Sequence, residues 1–378
     1  MGRHYNLVDH DLIIVGGGPV GASLARSAHG LSVALVAHER RVAAPRKERF
    51  DARVYALSPA NVAFLGLALE GLTPVHAMRI YGDGDSRIEF DAYRAGVAAL
   101  AYIVEDRELQ DALWQGLEPV VGRCEGLAVE DDRVRVTLDG ARELSGRLVV
   151  AADGAESRIR ELAEIKVTSK TYGQAAVVAN FACERGHGNV AHQWFQGGPV
   201  LALLPLPGEH VSMVWSLPTE EAARVAALDS EAICRELEAA SRRVLGAFKV
   251  ITPARTYPLR RLAARRMVAP RVALAGDAAH VIHPLAGQGL NLGLQDVRTL
   301  SRILGAREPV RDAGDWRVLR RYERARAEPI LAMDAMVDGL QRFFGAQGAF
   351  AARLRNHGLN LTDRLEVVKN LLIRQAMN

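Results

Sequence analysis

Cysteine is scarce in this chain. Cys124, Cys183 and Cys234 are the only three in 378 residues, widely separated and without a CxxC pair. That odd, scattered set excludes a disulfide framework and fits a reducing compartment. No apolar run approaches the roughly 18 residues a spanning helix needs. The opening MGRHYNLVDHDLIIV shows no apolar core ahead of a cleavage site, so no signal peptide is expected. A cytoplasmic protein is the expectation, with peripheral contact on the inner membrane left open. A long Lys/Arg block is missing too. The net charge of +4 is diffuse, and Arg260-Arg261 and Arg265-Arg266 read as solvated faces. Nucleic acid is therefore not an expected partner, although the mild positive excess favours anionic cofactors or an anionic membrane surface. No GxSxG gives Ser58 or Ser157 the setting of a nucleophile. No pattern of Cys, His or acid completes a zinc set around His280 and His283, so no metal is expected.

What is present has the texture of an α/β protein. The length suits two or three domains. Asp11 to Val15 reads as a buried strand, Ala22 to His29 as a helix and Ser32 to Val36 as a second strand, which together make a βαβ unit and a parallel sheet. Tyr102 to Leu117 has helical spacing; Val134 to Leu138 and Arg147 to Ala152 read as strands. VVANFAC, AHQWF, VLALLPLP and VSMVWSLP are strand-like runs broken by Gly, Pro and charge, the signature of an antiparallel sheet. Thr219 to Phe248 reads as helical, Arg271 to Ala275 as a return to the parallel sheet, and the rest as helix.

The dipeptides and glycines at strand ends carry the chemistry. Gly16, Gly18 and Gly21 form GxGxxG between a strand and a helix. There glycines permit a tight turn and close approach to a pyrophosphate, and the helix amino end offers free N–H groups. An acid is expected near the end of the second strand to hold the ribose; Ala37 ends that strand, and Glu39 is the nearest acid. Two further strands end in a carboxylate beside a glycine, at Asp153-Gly154 and Gly276-Asp277. Ligands of open parallel sheets lie outside the carboxyl ends of strands, so three such ends point to one extended ligand.

GGGPVG, ADGAESRIR and GDAAHVIHPLAGQGLNLGLQD resemble the three fingerprints of the para-hydroxybenzoate hydroxylase superfamily of FAD-dependent monooxygenases. FDARVYALSPAN, the GPVLALLPLP to SMVWS stretch and the ending LLIRQAMN are more specifically similar to the ubiquinone-biosynthesis hydroxylases. The resemblance implies a Rossmann-like FAD-binding domain with a parallel sheet, interrupted by a mostly antiparallel β-sheet substrate domain, with a helical C-terminus. The expected segments are 9–80, 101–170 and 266–325 for FAD, 81–100 and 171–265 for substrate, and 326–378 as the C-terminal helical region. It further implies that Gly16, Gly18 and Gly21 hold the FAD pyrophosphate and that Arg53 and Arg107 approach the phosphate and ribityl region. Asp153-Gly154 is linked to both FAD and pyridine-nucleotide use. Asp277, after Gly276, accepts from ribityl hydroxyls. Pro284 lies against the ring, and Gly287, Gln288, Gly289, Leu290 and Asn291 direct backbone N–H groups at its pyrimidine end. His283, Pro284 and Gln288 are the flavin-adjacent candidates for a catalytic part.

The implied activity is hydroxylation of the aromatic ring of a polyprenylated phenol by O2 through a flavin hydroperoxide, with partners in a ubiquinone-biosynthesis complex. The alternatives are hydroxylation of a small soluble phenol, or a flavin-binding redox protein without catalysis. A second GxGxxG is missing, so NAD(P)H is expected to dock transiently on the FAD domain. Trp194, Phe195, Met213 and Trp215 either line a substrate pocket or fill the sheet core; Tyr172 and His192 are weak candidates for a proton relay. At the end, Leu361, Leu365, Val368 and Leu372 recur at helical spacing with Arg364, Lys369 and Arg374 among them. Such a helix either lies in an anionic interface or packs on the protein's own core.

Overall fold

The strand His10–Val15 lies at the centre of the first sheet, and Leu12 to Val15 are buried, as strands covered on both faces must be. The computed structural model describes residues 10–41, 50–82, 86–195, 197–282 and 288–345. His10–Val15 pairs in parallel with Val33–Ala37 on one side and with Arg142–Ala151 on the other. Arg142–Ala151 pairs in parallel with Val272–Leu274. An antiparallel extension, Val134–Leu138 and Cys124–Val129, hangs from the long strand.

Helix α1 (Pro19–Ser27) comes after the first strand, with proline in its first turn, where a missing N–H costs nothing. Helix α2 (Pro59–Leu65) is capped by Ser58, whose side chain accepts from the Asn61 amide. Helix α3 (Asp106–Trp114) is shorter than the sequence spacing predicts. Ala101–Glu105 is instead a strand paired with Val54–Leu57, because Ile103 and Val104 are β-branched and buried there. Helix α4 (Arg158–Leu162) is a single turn and a half.

Among the described residues the second sheet has nine strands, of which Phe248–Val250 pairs with Val167–Cys183 beside the main order. Its order runs from His280–Val281 through Arg255–Ala264, Val167–Cys183, His210–Pro218, Val200–Leu206 and Val190–Phe195 to Ala77–Tyr81 and Arg87–Asp91. All its pairs are antiparallel except Val190–Phe195 with Ala77–Tyr81. The expected helix over Thr219 to Phe248 is two, α5 (Thr219–Ala226) and α6 (Ser230–Ala240), with Asp229 capping the second; Phe248 then opens a strand. Helix α7 (Gly289–Gly305) and helix α8 (Trp316–Gly345) complete the chain described. The continuous helix expected after Ala275 is interrupted by His280–Val281, which pairs with Leu262 and Ala263. Arg260 and Arg261, expected on a solvated face, sit on a strand and form ion pairs with Glu156 and Asp334. The basic segment 361–378 lies outside the described residues. Among those described, no helix is long and apolar enough to cross a membrane.

Packing assigns the large side chains of the second sheet. Trp194, Met213 and Trp215 share one face with Phe181 and Leu201, and α5 and α6 cover that face, so these three are core. His192 shares their side of its strand. Burial, with help from Arg79 and His187, pulls its pKa down to about 4, and it bonds the Tyr81 hydroxyl at 3.0 Å. Phe195 and Val214 point the other way. On that second face Asn180 donates to the Asp51 carbonyl at 2.7 Å, which ties the sheet to the segment leading into Val54–Leu57.

Candidate functional site

Strand register brings the three motifs together. Val15 is level with Ala151, and Ala151 with Leu274. Beyond these partners the chain enters Gly16, Asp153-Gly154 and Gly276-Asp277. Three loops more than a hundred residues apart in sequence therefore leave one edge of one sheet side by side.

The first loop is closed by backbone contact. Gly16 has φ 118°, and a Cβ there would lie 2.2 Å from the Ala152 carbonyl oxygen; one on Gly21 would lie 1.9 Å from that of Gly16. The protein itself requires these two glycines. Gly18 differs: a Cβ on it meets no protein atom within 4 Å, so only a ligand would demand its absence. Trp114 Nε1 donates to the Gly17 carbonyl at 3.0 Å, and Ala37 stands beside that glycine. Glu39, two residues past the strand end, is exposed.

At the second loop, Asp153 Oδ2 accepts from the amides of Arg158 and Ile159, at 2.8 and 3.2 Å, which caps α4. Its Oδ1 is buried and has no partner among the described residues. Gly154 has φ 86° and faces open space. Arg160, in the same motif but not singled out by sequence reasoning, is buried and donates to the carbonyls of Ala278 and Ala155, at 2.9 and 2.8 Å. It staples the second loop to the third.

The third loop is a short 3₁₀ turn, Gly276–Ala278. Asp277 is open to solvent yet recessed among protein atoms. That recess pushes its carboxyl pKa up, against the pull of His280, Arg53 and Arg260. Arg53 faces it from the strand side, with its guanidinium 5.2 Å from the Tyr55 ring centroid. Arg107 lies in the first turn of α3.

Beneath the turn is a hub that no sequence pattern marks. Asp296, wholly buried on α7, accepts from the Gly276 amide at 2.9 Å, from His280 Nε2 at 2.7 Å and from Arg326 of α8 at 2.6 Å. Burial opposes its charge, but His280, Arg326 and the Gly276 amide outweigh that and hold its carboxyl below the usual range. His280, for which the sequence offered no completed metal set, is this carboxylate's partner. Within the described residues no cluster of three His, Cys, Asp or Glu forms a metal site.

Helix α7 opens at Gly289, with Gln288 just before it. Its Gly293 packs on Gly276 and Val20, which sets the amino end of α7 beside that of α1. Asn291 is spent on structure. Its side chain accepts from the Ser58 amide and Asn61 and donates to Ala56, locking α7 to α2. Leu290 packs partly against the cluster around Leu57 and Leu113. His283, Pro284 and Gly287 lie outside the described residues.

A long ligand with a diphosphate and a polyol suits this edge. An unpartnered buried carboxylate oxygen, a recessed aspartate opposite an arginine and three glycines open to space all line it. Gly289→Val tests the open space. With no protein atom within 4 Å, the apoprotein should melt within a few degrees of wild type, while flavin content and activity fall at least tenfold. Full flavin occupancy in the variant would show that nothing approaches Gly289.

A family model described as FAD binding domain matches residues 122–335. The fold, and a family model that matches more than half of the chain, are those of an FAD-binding flavoprotein. Ubiquinone hydroxylase UbiL of Rhodospirillum rubrum is 33% identical over 97% of this chain and 89% of its own. The 3-demethoxyubiquinol 3-hydroxylase of Escherichia coli is 32% identical over 97% and 98%. The chain belongs to this family of ubiquinone-biosynthesis hydroxylases, within the FAD-dependent monooxygenases. A solved p-nitrophenol 4-monooxygenase from Pseudomonas putida shares the fold, with a TM-score of 0.79 over 97% of this chain and 98% of its own, at 18% identity.

Proposed function

We propose that this protein is an FAD-dependent monooxygenase that hydroxylates the aromatic ring of a polyprenylated phenol in ubiquinone biosynthesis. The observation that carries the reading is the level exit of three fingerprint loops from adjacent strands, in a chain a third identical to a ubiquinone hydroxylase. Gly16, Gly18 and Gly21 would hold the diphosphate, Arg53 and Arg107 the phosphate and ribityl region, and Asp277, after Gly276, the ribityl hydroxyls, with Asp153-Gly154 serving both FAD and the pyridine nucleotide. Pro284 and the run from Gly287 to Asn291 would hold the ring, with His283, Pro284 and Gln288 nearest the chemistry. Glu39 is the candidate for the adenosine ribose. Bound FAD, once reduced, supplies the means of activating O2. The chain's own tasks are to seat the phenol, keep water from the reacting oxygen and, with the amino end of α7, stabilise negative charge. In this reading 9–80, 101–170 and 266–325 serve the cofactor, and 81–100 and 171–265 the substrate. The strand Ala77–Tyr81 straddles the first boundary and Val167–Cys183 the third. The sheet face of Val214 and Phe195, opposite the helix-covered core, offers apolar walls for a prenylated ring.

NAD(P)H is the proposed reductant, docking transiently. Purified protein should show bound-flavin absorption and consume O2 with NAD(P)H when a polyprenyl phenol is added, giving a product one oxygen heavier. Stimulation by a water-soluble phenol alone would favour the small-substrate alternative. Flavin bands without any uptake would favour a redox protein.

Because such a substrate resides in a bilayer, the protein must meet it at a surface, on the cytoplasmic side, or receive it from partners. The segment 361–378 is the proposed contact. Full-length protein should float with anionic liposomes in low salt, and protein ending at Asn360 should float less. Equal flotation of a folded truncation excludes this segment.

A further inference from the structure

The backbone of Arg53 is fixed from both sides. Its amide donates to Asp51 Oδ1 at 3.0 Å, and its carbonyl accepts from the Asp106 amide at 3.0 Å. Asp51 is pinned in turn, its amide on Glu105 at 2.9 Å and its carbonyl on Asn180 of the second sheet at 2.7 Å. The Arg53 side chain therefore starts from one fixed point, between the second sheet and α3. What this leaves free is the run of methylenes that carries the guanidinium. Arginine has many rotamers, and a group that must meet a ligand in one place loses affinity by the entropy of settling on one of them.

Tyr55 removes that freedom. Residues two apart on a strand share a face, and the pairing of Val54–Leu57 with Ala101–Glu105 sets Tyr55 opposite Val104. The ring packs against the cluster around Leu57, Leu109 and Leu113. The Arg53 guanidinium lies 5.2 Å from its centroid, within the roughly 6 Å of a cation–π contact. The Asp106 carboxylate, beside the Tyr55 hydroxyl, accepts twice from Gln110, at 2.8 and 2.9 Å, and so is itself fixed on α3. Burial raises the Tyr55 pKa against the pull of Arg53, so the ring faces the cation as a neutral phenol. Among the described residues, Asp106 and Asp277 attract the guanidinium without pairing with it.

We propose that Tyr55 is a positioning residue for the cofactor: its ring holds the Arg53 guanidinium opposite Asp277, where the phosphate and ribityl part of the flavin would pass. The inference rests on the flavin site proposed above and adds a residue that acts through Arg53. A purely structural Tyr55 would only fill space beside Leu57, which an aliphatic side chain also does.

Full-length protein is stripped of flavin and titrated with FAD, read by quenching of flavin fluorescence, and each apoprotein is melted in parallel. Tyr55→Phe keeps the ring face and should bind FAD as wild type does. Tyr55→Leu keeps apolar packing without the ring. It should bind roughly tenfold more weakly, the scale of a recessed cation–π contact, from an apoprotein that melts close to wild type. Tyr55→Met serves the same comparison if the leucine variant does not fold. Arg53→Met should itself weaken binding. In that background Tyr55→Leu should change affinity by less than about twofold, because the group it acts through is gone. FAD bound equally by wild type and Tyr55→Leu, or by wild type and Arg53→Met, overturns this inference and leaves the flavin site standing. So does an undiminished loss from Tyr55→Leu in the Arg53→Met background. Wild type that takes up no FAD removes the flavin site and this inference with it.

Discussion

Asp277→Ala should purify with less than a tenth of the wild-type flavin, yet fold as well as wild type or better. The reason lies in the direction of its pKa. The recess among protein atoms raises the folded value above the unfolded one despite His280, Arg53 and Arg260. A carboxyl whose folded pKa is raised is harder to ionise in the fold than out of it, so above the unfolded value of about 3.9 its charge detracts from stability. Such a group persists because something else needs it, and two or three hydroxyl donors of a bound polyol would supply what the recess lacks. Flavin absorbance per protein and the melting temperature of the apoprotein together check this. A variant that keeps full flavin, or one that loses flavin only because it unfolds, removes Asp277 from the cofactor site.

Asp296→Ala should do the reverse and damage the fold first. Three donors converge on one wholly buried carboxylate, and truncating one member of a buried ionic cluster typically costs about 3–5 kcal/mol. Here the folded pKa is depressed. The contribution is therefore present above the unfolded value near 3.9 and disappears only as pH falls through the still lower folded value. Denaturant titration at pH 7 should show the loss, and Asp296→Asn, which keeps an oxygen for the Gly276 amide, should recover part of it. Stability within 1 kcal/mol of wild type in the alanine variant would mean that the hub is dispensable.

The convergence of glycines and aspartates at the strand ends was legible in the sequence because its requirements are local. Gly16 and Gly21 declare a tight turn after the first strand in a few residues, although the helix beyond it opens at Pro19 rather than at Ala22. What escaped depends on partners far along the chain. Tyr102 to Glu105 continue the helical spacing of the residues after them, and only pairing with Val54–Leu57 makes them a strand. Asp296 and Arg160 sit inside the fingerprint motifs, but no pattern reveals that one receives Gly276 and the other reaches Ala278. Trp194, Met213 and Trp215 could not be assigned until α5 and α6 were seen to cover their face.

The register of the first sheet also fixes an order of events during synthesis. Its central strand, His10–Val15, gains one long neighbour only when Arg142–Ala151 has been made, and the last fingerprint strand comes later still, at Val272–Leu274. At about 5–20 residues per second, translation separates the first glycine loop from Asp296 by roughly 15–55 s. Through that interval a nascent chain carries the loop proposed for the diphosphate without the turn proposed for the polyol beside it. On the proposed site, flavin capture waits for the third fingerprint, and a chain truncated before Asp296 should be colourless however well its amino-terminal strands have paired.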